Sequence, residues 1–228
     1  IAGLIGPNGA GKTTVFNLLT KVYEPTSGEI YLNGESTAKK TTVQLSKAGI
    51  ARTFQNIRLF SKLTVAENVM TAMNQSMNYS LLEAVLRLPR YWKEEKEARE
   101  KALELLSIFD MQGMADVRAG SLPYGAQRRL EIARALATNP SLLLLDEPAA
   151  GMNPSETAEL MENIVKIRDT FHIAILLIEH DMSPVMNICE GIAVLNFGRL
   201  IAKGNADAIR NDPTVVEAYL GRKGAKEK

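Results

Sequence analysis

One stretch near the start of the chain restricts the possible fold more than any other. It reads Gly6-Pro7-Asn8-Gly9-Ala10-Gly11-Lys12-Thr13-Thr14 and matches the pattern G-x-x-x-x-G-K-[ST], in which glycines let the backbone wrap around a phosphate group. The apolar residues of 1–5 predict a strand that enters this loop, and residues 15–19 predict a helix that leaves it. Free N–H groups and the positive dipole end of that helix would face the same phosphate. The stretch therefore predicts a nucleoside-triphosphate site; the alternative is an ordinary glycine turn.

Two side chains in this loop have specific expected contacts with the triphosphate. Lys12 would reach the β- and γ-phosphates, and the hydroxyl of Thr13 would be a ligand of Mg²⁺. The pattern predicts what is bound, but it leaves open what the energy of the triphosphate is used for.

The composition is ordinary for a globular protein and argues against several classes of function. The 228 residues have a net charge of +1, which provides no strong field for recruiting nucleic acid. No apolar run approaches the ~18 residues expected of a membrane-spanning helix. The single cysteine, Cys189, excludes an internal disulfide and fits a reducing compartment.

The start of the sequence also leads to a prediction about the central strand. Ile1 is not a methionine, and it lies inside the strand predicted to enter the phosphate loop. The backbone of a central strand needs hydrogen-bonded neighbours on both sides. We therefore expect that N-terminal residues, including further strands, are missing from this sequence.

The order of predicted elements divides the chain into three parts of an α/β protein with a mostly parallel sheet. Residues 141–146 and 173–178 are near-continuous apolar runs, typical of parallel strands buried on both faces. Thr64 and Glu67 have the spacing of a helix capping box, and no strand signal follows before residue 120. We expect residues 1–63 to form the first part of a nucleotide-binding core, residues 64–120 an inserted helical subdomain, and residues 121–228 the rest of the core.

Four polar residues follow predicted strands, where open α/β sheets bind their ligands. Asp146 could hold Mg²⁺, and Glu147 could polarise a water for attack on the phosphate. His180 could bond to the γ-phosphate or orient the water, and the amide oxygen of Gln55 could bind the metal or the water. The alternative for Asp146 and Glu147 is a turn with two exposed acids, and the alternative for His180 is a structural role. Gln55, as a lone glutamine, carries almost no information by itself.

A second candidate anion site comes just before a predicted helix, at Leu122-Pro123-Tyr124-Gly125-Ala126-Gln127. Gly125 permits close approach, and the helix N-terminus would point outward. A chain with its own phosphate loop seldom needs another, so nucleotide bound to a second chain would explain this site. The alternative is an ordinary helix start after a Pro-Gly turn.

The order of these motifs resembles that of the ATP-binding cassette (ABC) ATPases of ABC transporters, over essentially the whole chain. The resemblance implies an ABC-type core within the P-loop NTPase fold. It implies ATP and Mg²⁺ as cofactors, with Thr13, Gln55 and Asp146 as metal ligands. It assigns residues 6–13 as Walker A, Gln55 as the Q-loop, 122–127 as the signature motif, 142–146 as Walker B, Glu147 as catalytic base, 151–154 as the D-loop and His180 as the switch histidine.

The resemblance also implies partners and a place in the cell. Two cassettes, identical or paralogous, pair head to tail around two ATP molecules, each contacting one Walker A and the other chain's signature motif. A groove near Gln55 pushes on membrane permease subunits, and a solute-binding protein takes part indirectly. The protein would be peripheral, on the cytoplasmic face of the inner membrane, with no nucleic-acid partner.

Four segments look most like the ATP-binding subunits of branched-chain amino-acid importers: residues 54–60, 146–154, 178–182 and 218–221. Similar cassettes that handle urea, short amides or lipopolysaccharide are the alternatives. The signature motif usually reads L-S-G-G-Q, and here Pro123 replaces the serine and Ala126 the glutamine. Pro123 has neither a hydroxyl nor an N–H to offer a phosphate. The aromatic residue that stacks on adenine in this family would lie upstream of Ile1.

Two other function classes fit the phosphate loop less well. Non-transport cassettes that act on ribosomes or DNA usually have two cassettes in one chain or a long coiled-coil insert, whereas this chain has one cassette and an insert of ordinary length. A phosphate-loop kinase would need a substrate lid and would not need residues 122–127 or His180.

Overall fold

A six-stranded sheet forms the centre of the fold. The computed structural model describes residues 1–74, 77 and 79–224. The described strands are β1 (Ala2–Ile5), β2 (Tyr31–Leu32), β3 (Glu35–Ser36), β4 (Ile50–Arg52), β5 (Leu142–Asp146), β6 (Ala174–Ile178), β7 (Gly191–Asn196) and β8 (Arg199–Gly204). The main sheet has the order β4-β5-β6-β1-β7-β8, and β2 and β3 form a separate two-stranded sheet.

The main sheet is parallel except at its β8 edge. β1 pairs in parallel with both β6 and β7, and only β7 and β8 are antiparallel. Leu143, Leu144 and Leu145 of β5 are fully buried, as expected for a central parallel strand with both faces covered. The predicted α/β fold with a mostly parallel sheet is confirmed.

Two β-hairpins are present in the described structure. The turn between β2 and β3 places Asn33 and Gly34 at φ 51° and 82°, and the turn between β7 and β8 places Phe197 and Gly198 at φ 46° and 74°. Two successive residues with positive φ give the turn twist that matches antiparallel strands. The second hairpin lies against the phosphate loop, because the N–H of Gly198 donates to the carbonyl of Ala10 at 2.8 Å.

The helices cover the sheet, and α3, α4, α5 and α6 come between β4 and β5 in the sequence. The described α-helices are α1 (Lys12–Leu19), α2 (Thr42–Lys47), α3 (Val65–Met73), α4 (Leu81–Val85), α5 (Pro89–Ser107), α6 (Tyr124–Leu136), α7 (Pro154–Phe171), α8 (Met182–Ile188), α9 (Ala206–Arg210) and α10 (Pro213–Gly224). None of the helices in the described part of the chain is long and apolar enough to cross a membrane.

The capping box predicted from Thr64 and Glu67 is present. Thr64 and Ser80 both form capping boxes, at the starts of α3 and α4. The short helix α4 ends at Val85. Arg87 has φ 48°, which lies outside the right-handed helical region, and Pro89 then starts α5.

The helices of the 64–120 segment share a core with the sheet. Val65 of α3, Leu106 of α5 and Leu130 of α6 are fully buried and belong to one apolar cluster with Leu143 of β5. Gln55 lies in the segment that connects β4 to these helices, and its side chain is exposed.

Candidate nucleotide-binding site

The phosphate loop has the backbone conformation that its glycines predict. A Cβ atom on Gly6 would lie 2.2 Å from the carbonyl oxygen of Leu195, so only glycine fits there. Gly11 precedes α1 at φ 102° and offers no side chain to cap it. The first N–H groups of α1 are thus left for an external acceptor, and an anion is the acceptor that a helix N-terminus favours.

Lys12 points into the loop. Its side chain is 6% exposed, and Nζ donates to the carbonyl oxygens of Gly6 at 2.7 Å and Pro7 at 3.1 Å. Burial lowers the pKa of the ammonium, while the carboxylates of Glu147 and Asp146 act in the opposite direction. A bound phosphate would supply the negative charge that this partly desolvated ammonium lacks.

A cavity of about 480 Å³ lies over the loop. Its lining comes from three separate parts of the sequence: the loop residues Asn8, Gly9, Ala10, Gly11, Lys12, Thr13 and Thr14, together with Gln55 and Glu147. These parts meet because the loop follows β1, Gln55 follows β4 and Glu147 follows β5, all at the carboxyl edge of the sheet.

Gln55 and Glu147 are in direct contact. Nε2 of Gln55 donates to Oε2 of Glu147 at 2.9 Å. Glu147 has φ 48°, and its N–H donates to the carbonyl of Ile178 at 2.9 Å, so its backbone remains bonded to β6 just beyond the end of β5. A non-glycine residue at positive φ is strained, and such strain is found preferentially where a side chain must be directed into a site.

Asp146 lies behind the cavity and not on its surface. It is 2% exposed and accepts a hydrogen bond at 2.9 Å from Arg52, which ends β4. Arg52 also donates to Oδ1 of Asn17 at 2.7 Å, and its guanidinium lies 5.4 Å from the centre of the Phe16 ring. Sequence reasoning missed Arg52, although a charged residue at the end of the apolar strand Ile50–Arg52 was the available signal.

The predicted magnesium ligands fit that ion by their chemistry. Thr13 and Gln55 line the cavity, and Asp146 lies next to Glu147 in the chain. All three supply oxygen atoms, which Mg²⁺ prefers, and protein sites usually bind it with one or two carboxylates plus substrate phosphates. The described part of the chain contains no group of three or more His, Cys, Asp or Glu residues that could hold a metal ion.

His180 follows β6 at the same edge of the sheet, but it is not among the residues lining the cavity. Its side chain is exposed, with Nδ1 3.9 Å from Oδ1 of Asp181.

Sequence reasoning did not single out Glu179, the residue before His180. Glu179 is 4% exposed and accepts a hydrogen bond at 2.9 Å from the N–H of Ala149, so it connects β6 to the loop after Glu147. Burial, with a smaller contribution from the charge of Glu147, raises the pKa of Glu179 to about 7.

Residues 122–127 do not contribute to the lining of this cavity. Pro123 is the N-cap of α6 and makes no side-chain hydrogen bond there. The helix start lies against residues 151–156 of the same chain, since a Cβ on Gly125 would lie 3.3 Å from Oε1 of Glu156. Leu122 and Ala126 are buried in the apolar core, so only part of the motif faces outward.

Comparison with known proteins identifies the family. The family model described as "ABC transporter" matches residues 1–150. The chain belongs to the ABC transporter family. A second model, described as "Branched-chain amino acid ATP-binding cassette transporter", matches residues 199–225. The resemblance predicted from the order of the motifs is therefore confirmed.

Individual ABC proteins are similar over nearly the whole chain. The high-affinity branched-chain amino acid transport ATP-binding protein BraF of Pseudomonas aeruginosa is 46% identical over 97% of this chain and 87% of its own length. A solved ATP-binding cassette of an ABC transporter in its ADP conformation superposes with a TM-score of 0.82 and 31% identity, over 97% of this chain and 88% of the other. A dimeric ATP-binding cassette bound to ADP and Pi superposes with a TM-score of 0.76 and 26% sequence identity. This match covers 90% of this chain and 85% of the other.

Proposed function

We propose that this protein is the ATP-hydrolysing subunit of an ABC importer for branched-chain amino acids. The observation that carries the proposal is the cavity in which Lys12 of the phosphate loop lies opposite the bonded pair Gln55 and Glu147. A phosphate-binding lysine and a carboxylate in one cavity are what in-line attack of water on a γ-phosphate requires. The name of the relative BraF supports branched-chain amino acids as the cargo.

Each residue of the cavity has a defined part in the proposed reaction. The loop N–H groups and Lys12 bind the phosphates, and Glu147 accepts the proton of the attacking water. Thr13, Gln55 and Asp146 would hold Mg²⁺, which supplies positive charge against the β- and γ-phosphates when bound. His180 would orient the water or the γ-phosphate once the site is closed by a second chain.

A second cassette completes the site. Residues 122–127 are absent from the lining of the cavity in their own chain, yet they include a helix start without a side-chain cap. In the proposed dimer, the N-terminus of α6 contacts the γ-phosphate of the ATP bound to the partner, which gives two ATP sites for two chains. The similarity to a dimeric cassette supports this arrangement.

The permease would bind beside the Q-loop. A groove of about 550 Å³ lies there, and its residues are Phe54, Arg58, Leu59, Phe60, Thr71, Ala72, Arg134 and Thr138. Aromatic and aliphatic side chains in an open groove favour an apolar partner segment, and the two arginines could bond to its carbonyl groups. The protein would then be attached peripherally to the cytoplasmic face of the inner membrane, with a solute-binding protein acting on the other side.

Lys12→Ala tests the proposal at its first step. Nucleotide affinity and ATP hydrolysis should both be lost, because Lys12 is the charged side chain inside the loop. Unchanged affinity would contradict the phosphate-loop assignment. Uptake of labelled leucine and of labelled urea, measured with the protein assembled with its permease, then tests the cargo. Urea uptake without leucine uptake would reject the branched-chain assignment.

A further inference from the structure

Arg128 and Glu131 form a buried ion pair on α6 that the proposed reaction does not use. Their side chains are 1% and 2% exposed, and Nη1 of Arg128 donates to Oε2 of Glu131 at 3.0 Å. Removing two charges from water costs free energy that their attraction seldom repays in full. In addition, Nε of Arg128 is buried without a hydrogen-bond partner among the described residues. Stability alone is therefore a poor explanation for this pair.

The pair contacts the backbone of the segment that carries Gln55. Nη1 of Arg128 donates to the carbonyl of Phe54 at 2.5 Å, and Nη2 donates to the carbonyl of Gln55. Oε1 of Glu131 accepts from the N–H of Arg58 at 3.4 Å. The segment belongs to no helix or strand, so these side chains provide hydrogen bonds that secondary structure does not.

Gln55 connects this network to the proposed base. Its carbonyl accepts from Arg128, while its side chain donates to Glu147 at 2.9 Å. One residue thus touches α6 through its backbone and Glu147 through its amide. The N-terminus of the same helix, at Tyr124, is where the proposed contact with the partner's ATP would be made. A shift of α6 on dimer formation would therefore move Gln55 relative to Glu147.

We propose that Arg128 is a positioning residue, which sets the place of Gln55 beside Glu147 according to the position of α6. The inference rests on the proposed function, because it concerns hydrolysis in the dimer. Arginine suits this role, since its planar fork can bond two successive carbonyls at once. The ammonium of a lysine is a single point of charge and cannot reproduce that geometry.

Arg128→Lys tests the proposal while keeping the charge. We expect kcat for ATP hydrolysis to fall about tenfold, the effect of losing one charge-assisted hydrogen bond. The affinity for a fluorescent ATP analogue should stay within about twofold, because the phosphate loop is untouched. Arg99→Lys is the matched control: Arg99 also makes two contacts, with the carboxylate of Asp116, but it does so on the surface. It should leave kcat unchanged.

A second background separates positioning from a general structural role. If Arg128 acts through the side chain of Gln55, then Arg128→Lys should cause no further loss of kcat in a protein that already carries Gln55→Ala. An equal loss in both backgrounds would overturn the proposal, and so would an unchanged kcat for Arg128→Lys alone. If Arg128→Lys fails to fold, Glu131→Gln, which keeps an oxygen for the N–H of Arg58, is judged by the same criteria.

The outcomes also distinguish this inference from the proposed function. A wild-type protein that does not hydrolyse ATP would reject the proposed function itself. Wild-type hydrolysis together with full activity of Arg128→Lys would reject only the role of Arg128.

Discussion

Glu179 should make the stability of this protein depend on pH in a defined direction. Its carboxyl is buried, and its pKa is raised from 4.5 to about 7 in the folded chain. Between these values the folded state binds a proton that the unfolded state has released. Stability contributed by the protonated form is therefore present in full below pH ~4.5, is lost as the pH rises through about 7, and changes little above that.

Glu179→Gln removes this titration while keeping the shape and an oxygen for the N–H of Ala149. The full effect of the raised pKa corresponds to about 3 kcal/mol of unfolding free energy. Over the accessible range from pH ~5.5 to ~8, the variant should gain about 2 kcal/mol relative to the wild type. The difference should be about 1 kcal/mol at the lower pH, where the unfolded carboxyl is ionised but the folded one is still protonated, and about 3 kcal/mol at pH ~8.

Urea unfolding of both proteins at several pH values measures this difference. Glu162→Gln, a substitution of an exposed glutamate on α7, controls for removing a carboxylate from the protein. A difference that is constant with pH, or that grows as the pH falls, would mean that the pKa of Glu179 is not raised in the folded protein. Adding Glu147→Gln should reduce the effect only in part, because burial is the largest cause of the raised pKa and the charge of Glu147 a smaller one.

Two further substitutions test the signature motif and the core. Pro123→Ser should raise the rate of hydrolysis or the stability of the ATP-bound dimer a few-fold, because the serine hydroxyl can bond to a phosphate or cap α6; steady-state hydrolysis measures it, and no change would mean that the hydroxyl is not needed here. Leu144→Ala should lower the free energy of unfolding by roughly 2–5 kcal/mol, since Leu144 is fully buried in the middle of β5; a loss below ~1 kcal/mol in urea unfolding would contradict the packing described.

The sequence predicted those parts of the fold that depend on local chemistry. The phosphate loop, the buried strands β5 and β6 and the capping boxes of α3 and α4 each carry their signal within a few residues. The parallel arrangement of the strands also followed, and it brought Gln55 and Glu147 to one cavity as the motif order implied.

The contacts that depend on which strands and helices are neighbours were not predictable in the same way. Arg52 pairs with Asp146 only because β4 lies beside β5, and Arg128 reaches Gln55 only because α6 packs under the segment after β4. The burial of Ala126 is a further case, since the motif alone gives no indication of which residues face the core. The expected roles of His180 and of residues 122–127 still depend on a second chain.

The variant Glu147→Gln tests whether ATP is hydrolysed by Glu147 in a dimer. The glutamine keeps an oxygen for Gln55 but cannot accept the proton, so hydrolysis should fall by at least ~100-fold while nucleotide affinity is unchanged. Light scattering should then find a stable dimer with ATP and Mg²⁺ and a monomer with ADP. Hydrolysis at the wild-type rate would show that Glu147 is not the base, and a monomer that persists with saturating ATP would show that ATP does not form the dimer.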